Sequence, residues 1–482
     1  MFRPRVFELP SKPGVDGLID ALAVRPGLAV LDSAGGAPRR FSLVAFDPIR
    51  AGAELPDDVR GLRAFVGLLA RVPGDDVPGP FHGGFLGAFS YDLGPAGEGL
   101  RLPSDAWHSP RVVGGLYTDF FVLDHERDRA WLVLGEDPGD GRPPVDERRG
   151  ALLDRLAAPP RAAPAPRPRG PLVRHVAGAE HRARIERARE WIAQGELYQV
   201  NVAHRFSRRM DGHPTAIYRR LRSINPAPYM AYLAFGDERG VPSGALLSAS
   251  PELLFELDGR RARTRPIKGT IERGLTPAAD AAQRAALLAS VKDRAELAMI
   301  VDLERNDLGR VARPGSVRVA EFPALETYAA LHHLVAEVSC ELRDGLDAVD
   351  VLGNLFPGGS VTGAPKLRAM EAIAELEREG RGFFTGSLGF LDTRGRAAFN
   401  ILIRTLVWRN RPGTDPDVTS GEVTFHVGGG ITWSSDAAAE ERETLVKGAA
   451  LAAALSDVDG APDTLGIALP RLQPAPAVEK GL

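Results

Sequence analysis

The chain has 482 residues, 44% of them hydrophobic and 26% charged, with a formal net charge of −3 at pH 7. Those values fit a globular protein of two or three ordinary domains, or of one large domain with an extension. They exclude the strongly basic field that nucleic acid or an anionic membrane surface demands. A single cysteine, Cys340, excludes an internal disulfide framework and suits a reducing cytoplasm. Met1 to Arg5 carries charge without an apolar run behind it, so no signal peptide is expected, and no segment reaches the roughly 18 apolar residues of a membrane helix.

Short alternating runs at 27–31, 41–45, 111–123 and 129–134 predict strands, with helices at 59–72 and 145–157. Residues 157–171 are rich in Pro, Ala and Arg and predict an extended linker or surface loop. It separates an N-terminal region, 1–156, from a second domain, 172–455, and the Pro- and Gly-punctuated residues 456–482 predict a loose tail. After the linker, strands and helices mix without regular βαβ alternation, so the fold class is α+β with mainly antiparallel sheets.

In the second domain Ile185, Ala188 and Ile192 predict a helix over 181–194, ended by Gly195. A strand over 198–206 follows, with Gln199 and Asn201 on one face. Asp258-Gly259 predicts a hairpin between 253–257 and 260–264. That register sets Pro251 opposite Pro266, where a ladder cannot continue and the strands splay. Glu252 and Lys268 lie at the splayed end. Strict alternation puts them on opposite faces, so their meeting requires that irregularity. Lys268 on the surface would be an ordinary solvated side chain; buried, it would lose its proton readily and become a nucleophile.

A helix over 290–303 sets Asp293 and Glu296 on one side, a turn apart, and a helix over 437–454 does the same for Glu440, Glu443 and Lys447. Two helices presenting carboxylates suit a hard cation such as Mg²⁺, although Glu443 and Lys447 also have the spacing of any solvated helix pair. Gly428, Gly429 and Gly430 follow a strand over 422–427 and would let backbone amides approach an anion, or simply form a flexible turn. The 356–366 segment lacks the Gly-Lys-Ser/Thr ending of a phosphate loop, so nucleotide binding is rejected; it is expected to cap a helix over 365–379 and to offer Ser360. Arg404 is a charge inside an apolar strand, and such an arginine needs a carboxylate partner. His333 is a candidate acid, base or donor, or a satisfied core histidine.

Seven segments occur in an order that is itself informative: Gly195-Glu196-Leu197-Tyr198-Gln199-Val200-Asn201, Ser250-Pro251-Glu252, Pro266-Ile267-Lys268-Gly269-Thr270, Met299-Ile300-Val301-Asp302-Leu303 with Arg305-Asn306-Asp307, His332-His333-Leu334-Val335, Gly363-Ala364-Pro365-Lys366 and Gly428-Gly429-Gly430-Ile431. From about residue 180 to 455 the chain resembles the chorismate-utilising enzymes, the group of anthranilate synthase component I and aminodeoxychorismate synthase component I. Weaker echoes stand at Leu31-Asp32-Ser33, Arg40-Phe41-Ser42 and Phe89-Ser90-Tyr91-Asp92. The resemblance implies a large, mainly antiparallel sheet sandwich flanked by helices, with chorismate as substrate and Mg²⁺ as cofactor. It implies Glu296 and Glu443 as metal ligands supported by Asp293 and Glu440. It implies Ser360, Arg404, Gly428, Gly429, Gly430 and Lys447 around the substrate carboxylates, with Gly269 and Thr270 beside them. His333 matches the family's active-site histidine, and Gln199 stands where water-adding relatives carry a lysine base.

Lys268 stands where anthranilate synthases typically have alanine and aminodeoxychorismate synthases typically have lysine. The resemblance therefore implies amination at C4 through a covalent lysine adduct, Glu252 acting as general acid, in para-aminobenzoate and folate synthesis. Anthranilate synthase component I and a catalytically silent binding relative are the alternatives. Phe384 replaces a tyrosine frequent among anthranilate synthases, whereas 225–230 (Asn-Pro-Ala-Pro-Tyr-Met) resembles the tryptophan pocket of the feedback-regulated ones. Cys340 lacks the flanking glycines of a nucleophile elbow, so ammonia is expected from a separate glutamine amidotransferase subunit.

Overall fold

The computed structural model describes residues 2–457, apart from 34–39, 71, 73–74, 95–97, 101, 138, 159–164, 237–241, 328–330 and 412–419, together with Leu465. Two antiparallel sheets form the scaffold. The larger has 13 strands among the described residues, running in space from Arg3–Glu8 through Arg129–Glu136, Phe120–Asp124, Phe41–Ala45, Ala29–Asp32, Tyr229–Gly236, Pro242–Ser250, Thr405–Asn410 and Ser420–Ile431 to Gln199–Asp211. The smaller has 10 and runs from Ile267–Glu272 through Leu331–Glu341, Arg261–Arg265, Leu253–Asp258, Ala397–Ile401, Ser387–Asp392 and Gly84–Phe89 to Val112–Tyr117. Both sheets draw strands from either side of the Pro-rich segment, which itself adds a short strand, Arg167–Pro168, against Met210 and Asp211.

The sheets face each other across a dry core in which Leu86, Ala88 and Phe390 of one meet Leu233, Leu246 and Val122 of the other. Because both faces of these strands are covered, their sequences are continuously apolar; all six residues of Gly84–Phe89 are buried. On the outer face of the larger sheet pack helices Val15–Leu22, Val145–Ala157, Pro214–Ile224 and Ala437–Ala454. On that of the smaller pack Val291–Gly309 and Ala348–Leu355. The result is the expected α+β sandwich flanked by helices. Phe81 bridges the layers by edge contacts with Phe120 of the larger sheet and Phe390 of the smaller, centroids 5.0 and 5.5 Å away; truncating such a ring to alanine costs about 3–5 kcal/mol. No helix among the described residues is long and apolar enough to cross a membrane.

Three local expectations need correction. The hairpin turns on Gly259-Arg260, not Asp258-Gly259: Asp258 pairs with Arg261, and Gly259 takes φ +60°. A register shift between Leu253 and Glu256 then sets Leu253 against Arg265, so Pro251 does not face Pro266. The single 111–123 run divides into Val112–Tyr117 and Phe120–Asp124, which serve different sheets. Finally, the helix at 59–72 shortens to Gly61–Gly67.

Candidate active site

The site opens where the larger sheet parts. The Ser420–Ile431 strand pairs along its whole length with Gln199–Asp211, but its other neighbour, Thr405–Asn410, pairs only with 421–424. From residue 425 its outer edge has no ladder partner among the described residues, and alternate amides there stay open to a ligand. The three glycines are thus part of this strand, Gly430 opposite Asn201 and Gly428 opposite Ala203, not a flexible turn. Their smallness is required. A Cβ on Gly430 would stand 2.7 Å from Gln199 Nε2 and 3.7 Å from Lys268 Nζ, while one on Gly429, facing the opposite way, would stand 3.3 Å from Glu440 Oε2. Arg404 is not inside a strand: Ala397–Ile401 ends before it and Thr405–Asn410 begins after it, and its own φ is +50°. Burial lowers its guanidinium against the opposing charge of Glu252, and no ion pair fixes it among the described residues.

Lys268 and Glu252 act on each other's charge. Pro266 interrupts the edge between Arg261–Arg265 and Ile267–Glu272, and a second irregularity between Lys268 and Thr270, with Gly269 at φ +73°, turns the lysine inward. Lys268 is half-buried. Burial pushes its ammonium below the usual lysine value; Glu252 pulls it back most, Lys447 adds to the depression, and Glu296 and Glu443 oppose it. Glu252 is only 5% exposed. Burial lifts its carboxyl above the ordinary range, against smaller opposing effects of Ser360, Lys268, the Ile267 amide and Arg404. Among the described residues neither Glu252 Oε1 nor Ser360 Oγ has a hydrogen-bond partner of normal geometry. Gln199, 1% exposed, likewise leaves both amide atoms unpartnered. Buried polar atoms without partners are rare. Unpartnered groups of this kind suit a polar ligand.

His333 is buried at 3% exposure and hydrogen-bonded on its own sheet. Its Nδ1 meets Thr270 Oγ1 at 2.8 Å and its ring also bonds the Gly269 main chain. Burial and Arg404 push its pKa down to about 3, so the ring is neutral and holds the 269–270 bend behind Lys268.

The carboxylates arrive from two helices. Ser290 caps Val291–Gly309 by accepting from the Asp293 amide, and its hydroxyl bonds the Asp293 carboxylate. Asp293 is therefore engaged in the cap, its side chain pressed against Gly269. Glu296 projects one turn further. Burial raises its carboxyl, as do Asp293 and Glu440, against Lys268 and Lys292. Glu440 accepts from Ser435 Oγ at 2.7 Å, and Glu443 pairs with Lys447 at 2.8 Å, which holds Glu443 below the usual carboxylate range. Among the described residues no three such side chains close around a point as metal ligands. The set still fits a hard divalent cation that binds through one or two carboxylates and keeps its waters, since it is all oxygen and its members repel one another.

Two residues escaped the sequence reading. Lys292 Nζ lies 3.8 Å from Glu296 and 4.0 Å from Glu440; its i,i+4 spacing to Glu296 was the available signal. Glu304 shares the buried face of its helix with Leu297, Ile300, Val301 and Leu308, a charge at an apolar helical position. The 225–230 segment leads into Tyr229–Gly236, where Tyr229 pairs with Ser250 and Met230 with Asp32, which Arg222 holds at 2.5 Å.

This geometry has known counterparts. The family model for chorismate binding enzymes matches residues 47–453. Aminodeoxychorismate synthase component 1 of Bacillus subtilis (strain 168) is 36% identical over 446 residues, covering 88% of this chain and 91% of that one. Anthranilate synthase component 1 of Streptomyces coelicolor is 38% identical over 444 residues, covering 88% and 83%. Among solved structures, anthranilate synthase component I from Streptococcus pneumoniae TIGR4 superposes with a TM-score of 0.71 at 29% identity, covering 86% and 92%. The menaquinone-specific isochorismate synthase of Escherichia coli shares the fold, with a TM-score of 0.71 at 18% identity over 95% of each chain. The chain belongs to the chorismate binding enzyme family, among enzymes of the aminodeoxychorismate and anthranilate synthase type.

Proposed function

We propose that the chain aminates chorismate at C4, giving 4-amino-4-deoxychorismate for para-aminobenzoate and folate synthesis. The observation that carries this reading is the half-buried Lys268 amine, depressed by burial and set beside the buried carboxyl of Glu252. A neutral amine is a nucleophile, and a carboxyl raised by burial keeps a proton to donate. Lys268 attacks C2 while Glu252 protonates the departing C4 hydroxyl, which leaves as water. Ammonia then attacks C4, the C2–N bond breaks to regenerate the amine, and the Glu252 carboxylate takes the surplus ammonium proton. One difficult displacement becomes two easier ones.

The substrate carboxylates find donors in the open amides near Gly428–Gly430, in Arg404, Ser360 and Lys447. Their fixed positions hold C2 and C4 against the reacting groups. Glu296 and Glu443 would hold Mg²⁺, with Asp293 and Glu440 behind them, and the ion would neutralise a ring carboxylate. Gln199 replaces a basic side chain with a neutral amide, which cannot activate water as a base. Cys340 is buried, its thiol pushed up to about 11, and cannot serve as a glutaminase nucleophile. Ammonia is supplied by a separate glutamine amidotransferase subunit, consistent with relatives named as a component 1, and the work is cytoplasmic.

The second reading, anthranilate synthase component I, is favoured by the 225–230 segment and by the Streptomyces relative. Incubation with chorismate, Mg²⁺ and an ammonium salt separates the two. The expected product is 4-amino-4-deoxychorismate; fluorescent anthranilate forming without an added lyase would replace the first reading with the second.

A further inference from the structure

Arg381 is only 2% exposed, yet each of its five side-chain donors has an acceptor. Its Nε and Nη2 grip Glu377 Oε2 and Oε1 at 2.9 and 2.7 Å. Nη1 donates to the Val361 carbonyl at 3.0 Å and to Thr385 Oγ1 at 3.3 Å, and Nη2 donates also to the Asn201 carbonyl at 3.0 Å. Glu377, at the end of the Lys366–Glu377 helix, accepts in turn from the Ala203 amide at 2.9 Å.

These contacts take the place of a strand. On the edge of Gln199–Asp211 away from Ser420–Ile431, Gly363–Ala364 pairs with residues 199–200 and Val173–Arg174 with 206–207. In the gap between them Arg381 and Glu377 hold Asn201 and Ala203. Successive residues of a strand turn their amides to opposite edges. With Asn201 and Ala203 held outward, Val202 turns to Gly429, its partner in the register, and the amides of Gly428 and Gly430 face the open side. The same guanidinium holds Val361, the residue next to Ser360.

We propose that Arg381 and Glu377 are positioning residues for chorismate: the pair fixes the glycine edge relative to the Ser360 turn, so that both meet the substrate carboxylates together. The inference rests on those groups as the carboxylate donors. Stability alone does not call for this pair, because buried ion pairs can often be replaced by well-packed apolar side chains without loss. Apolar side chains cannot, however, bond the Asn201 and Val361 carbonyls and the Ala203 amide from one point. The planar fork of an arginine can.

The test measures KM and kcat for chorismate, with Mg²⁺ saturating and ammonium as nitrogen source, in wild type, the double variant Glu377→Leu/Arg381→Met, and Arg381→Lys. Urea unfolding of each gives its folded fraction. The double variant should stay folded and raise KM by about 10–100-fold, the cost of misplaced binding groups. Its kcat per folded molecule should stay within about threefold, since the lost interaction is one of binding. Arg381→Lys keeps the charge without the fork and should fall between. A double variant with the wild-type KM, its loss confined to kcat or to folded fraction, would make the pair merely structural and overturn the proposal. Should the double variant not fold, Arg381→Lys and Glu377→Gln decide: a raised KM in both supports positioning, and the wild-type KM in both refutes it. Ser360→Ala judges the underlying assignment separately, because the wild-type KM there removes Ser360 from the substrate while the Arg381 result stands by itself. Product identity in the same samples judges amination at C4, on which the pair has no bearing.

Discussion

Two lysine–glutamate pairs lie within one site and behave in opposite ways. Lys447 and Glu443 sit a turn apart on one helix, 2.8 Å from each other, with side chains 40% and 53% exposed. Glu252 lies between the strands Pro242–Ser250 and Leu253–Asp258 and Lys268 within Ile267–Glu272, the glutamate 5% exposed and the lysine half-buried beside Gly430. In the first pair water screens both charges, and attraction simply holds Glu443 ionised. In the second, burial outweighs attraction for both partners, raising the acid and lowering the base. The same two residue types therefore make a charged rim in one place and, in the other, an acid raised and a base lowered by burial. Solvent access makes the difference.

The sharpest way to break that contrast is to remove the buried pair. Lys268→Ala and Glu252→Gln should each lower 4-amino-4-deoxychorismate formation by about 10²–10⁴-fold, the range for a lost acid–base group. Chromatographic product assay checks this, and unchanged turnover of Lys268→Ala would strip the lysine of its nucleophilic role.

Next in size is the pH dependence of stability. Glu304 has its folded pKa raised from 4.5 to about 8. Below about 4.5 both folded and unfolded chains hold the proton. Between there and about 8 only the folded chain holds it, so stability falls as pH rises, by at most about 4–5 kcal/mol. Urea unfolding of wild type and Glu304→Gln at pH 5 and pH 8 should show a smaller loss in the variant; equal losses would mean that Glu304 is ionised in the fold.

On the rim, Glu296→Gln or Glu443→Gln should weaken Mg²⁺ binding by at least about tenfold. Mn²⁺ titration followed by electron paramagnetic resonance reads this directly, and retained affinity would remove these ligands from consideration. Smallest of all, Lys447→Met should change unfolding free energy by only about 0–1 kcal/mol, as for other exposed ion pairs. A loss of several kcal/mol by denaturant unfolding would mean that the rim is as dry as the interior.

Much of the site was legible because helical spacing is a local property. Ala437–Ala454 and Val145–Ala157 have the predicted ends, and Glu296, Glu440 and Glu443 fall on usable faces. The hairpin was legible in kind but not in register. A turn shifted by one residue and a bulge near Leu253 changed every cross-strand partner, and no local pattern reveals a bulge. Arg404 was misplaced for a related reason. Its apolar neighbours on both sides read as one strand, whereas the chain breaks there to pass between the sheets. Gly428–Gly430 read as punctuation because glycine usually marks a turn; here it is strand, thinned to make room for Gln199 and Lys268.

The sequence by itself determined which residue types were present and which local elements would carry them, since propensity, capping and periodicity act over a few neighbours. Its ordered motifs also led to the family. Only the tertiary structure decided that burial and mutual charge act on both Lys268 and Glu252, that His333 bonds Thr270 and the Gly269 main chain, and that Glu304 is buried on its helix. Protonation depends on distance and on exclusion of water in three dimensions. Neither quantity is written in the order of the residues.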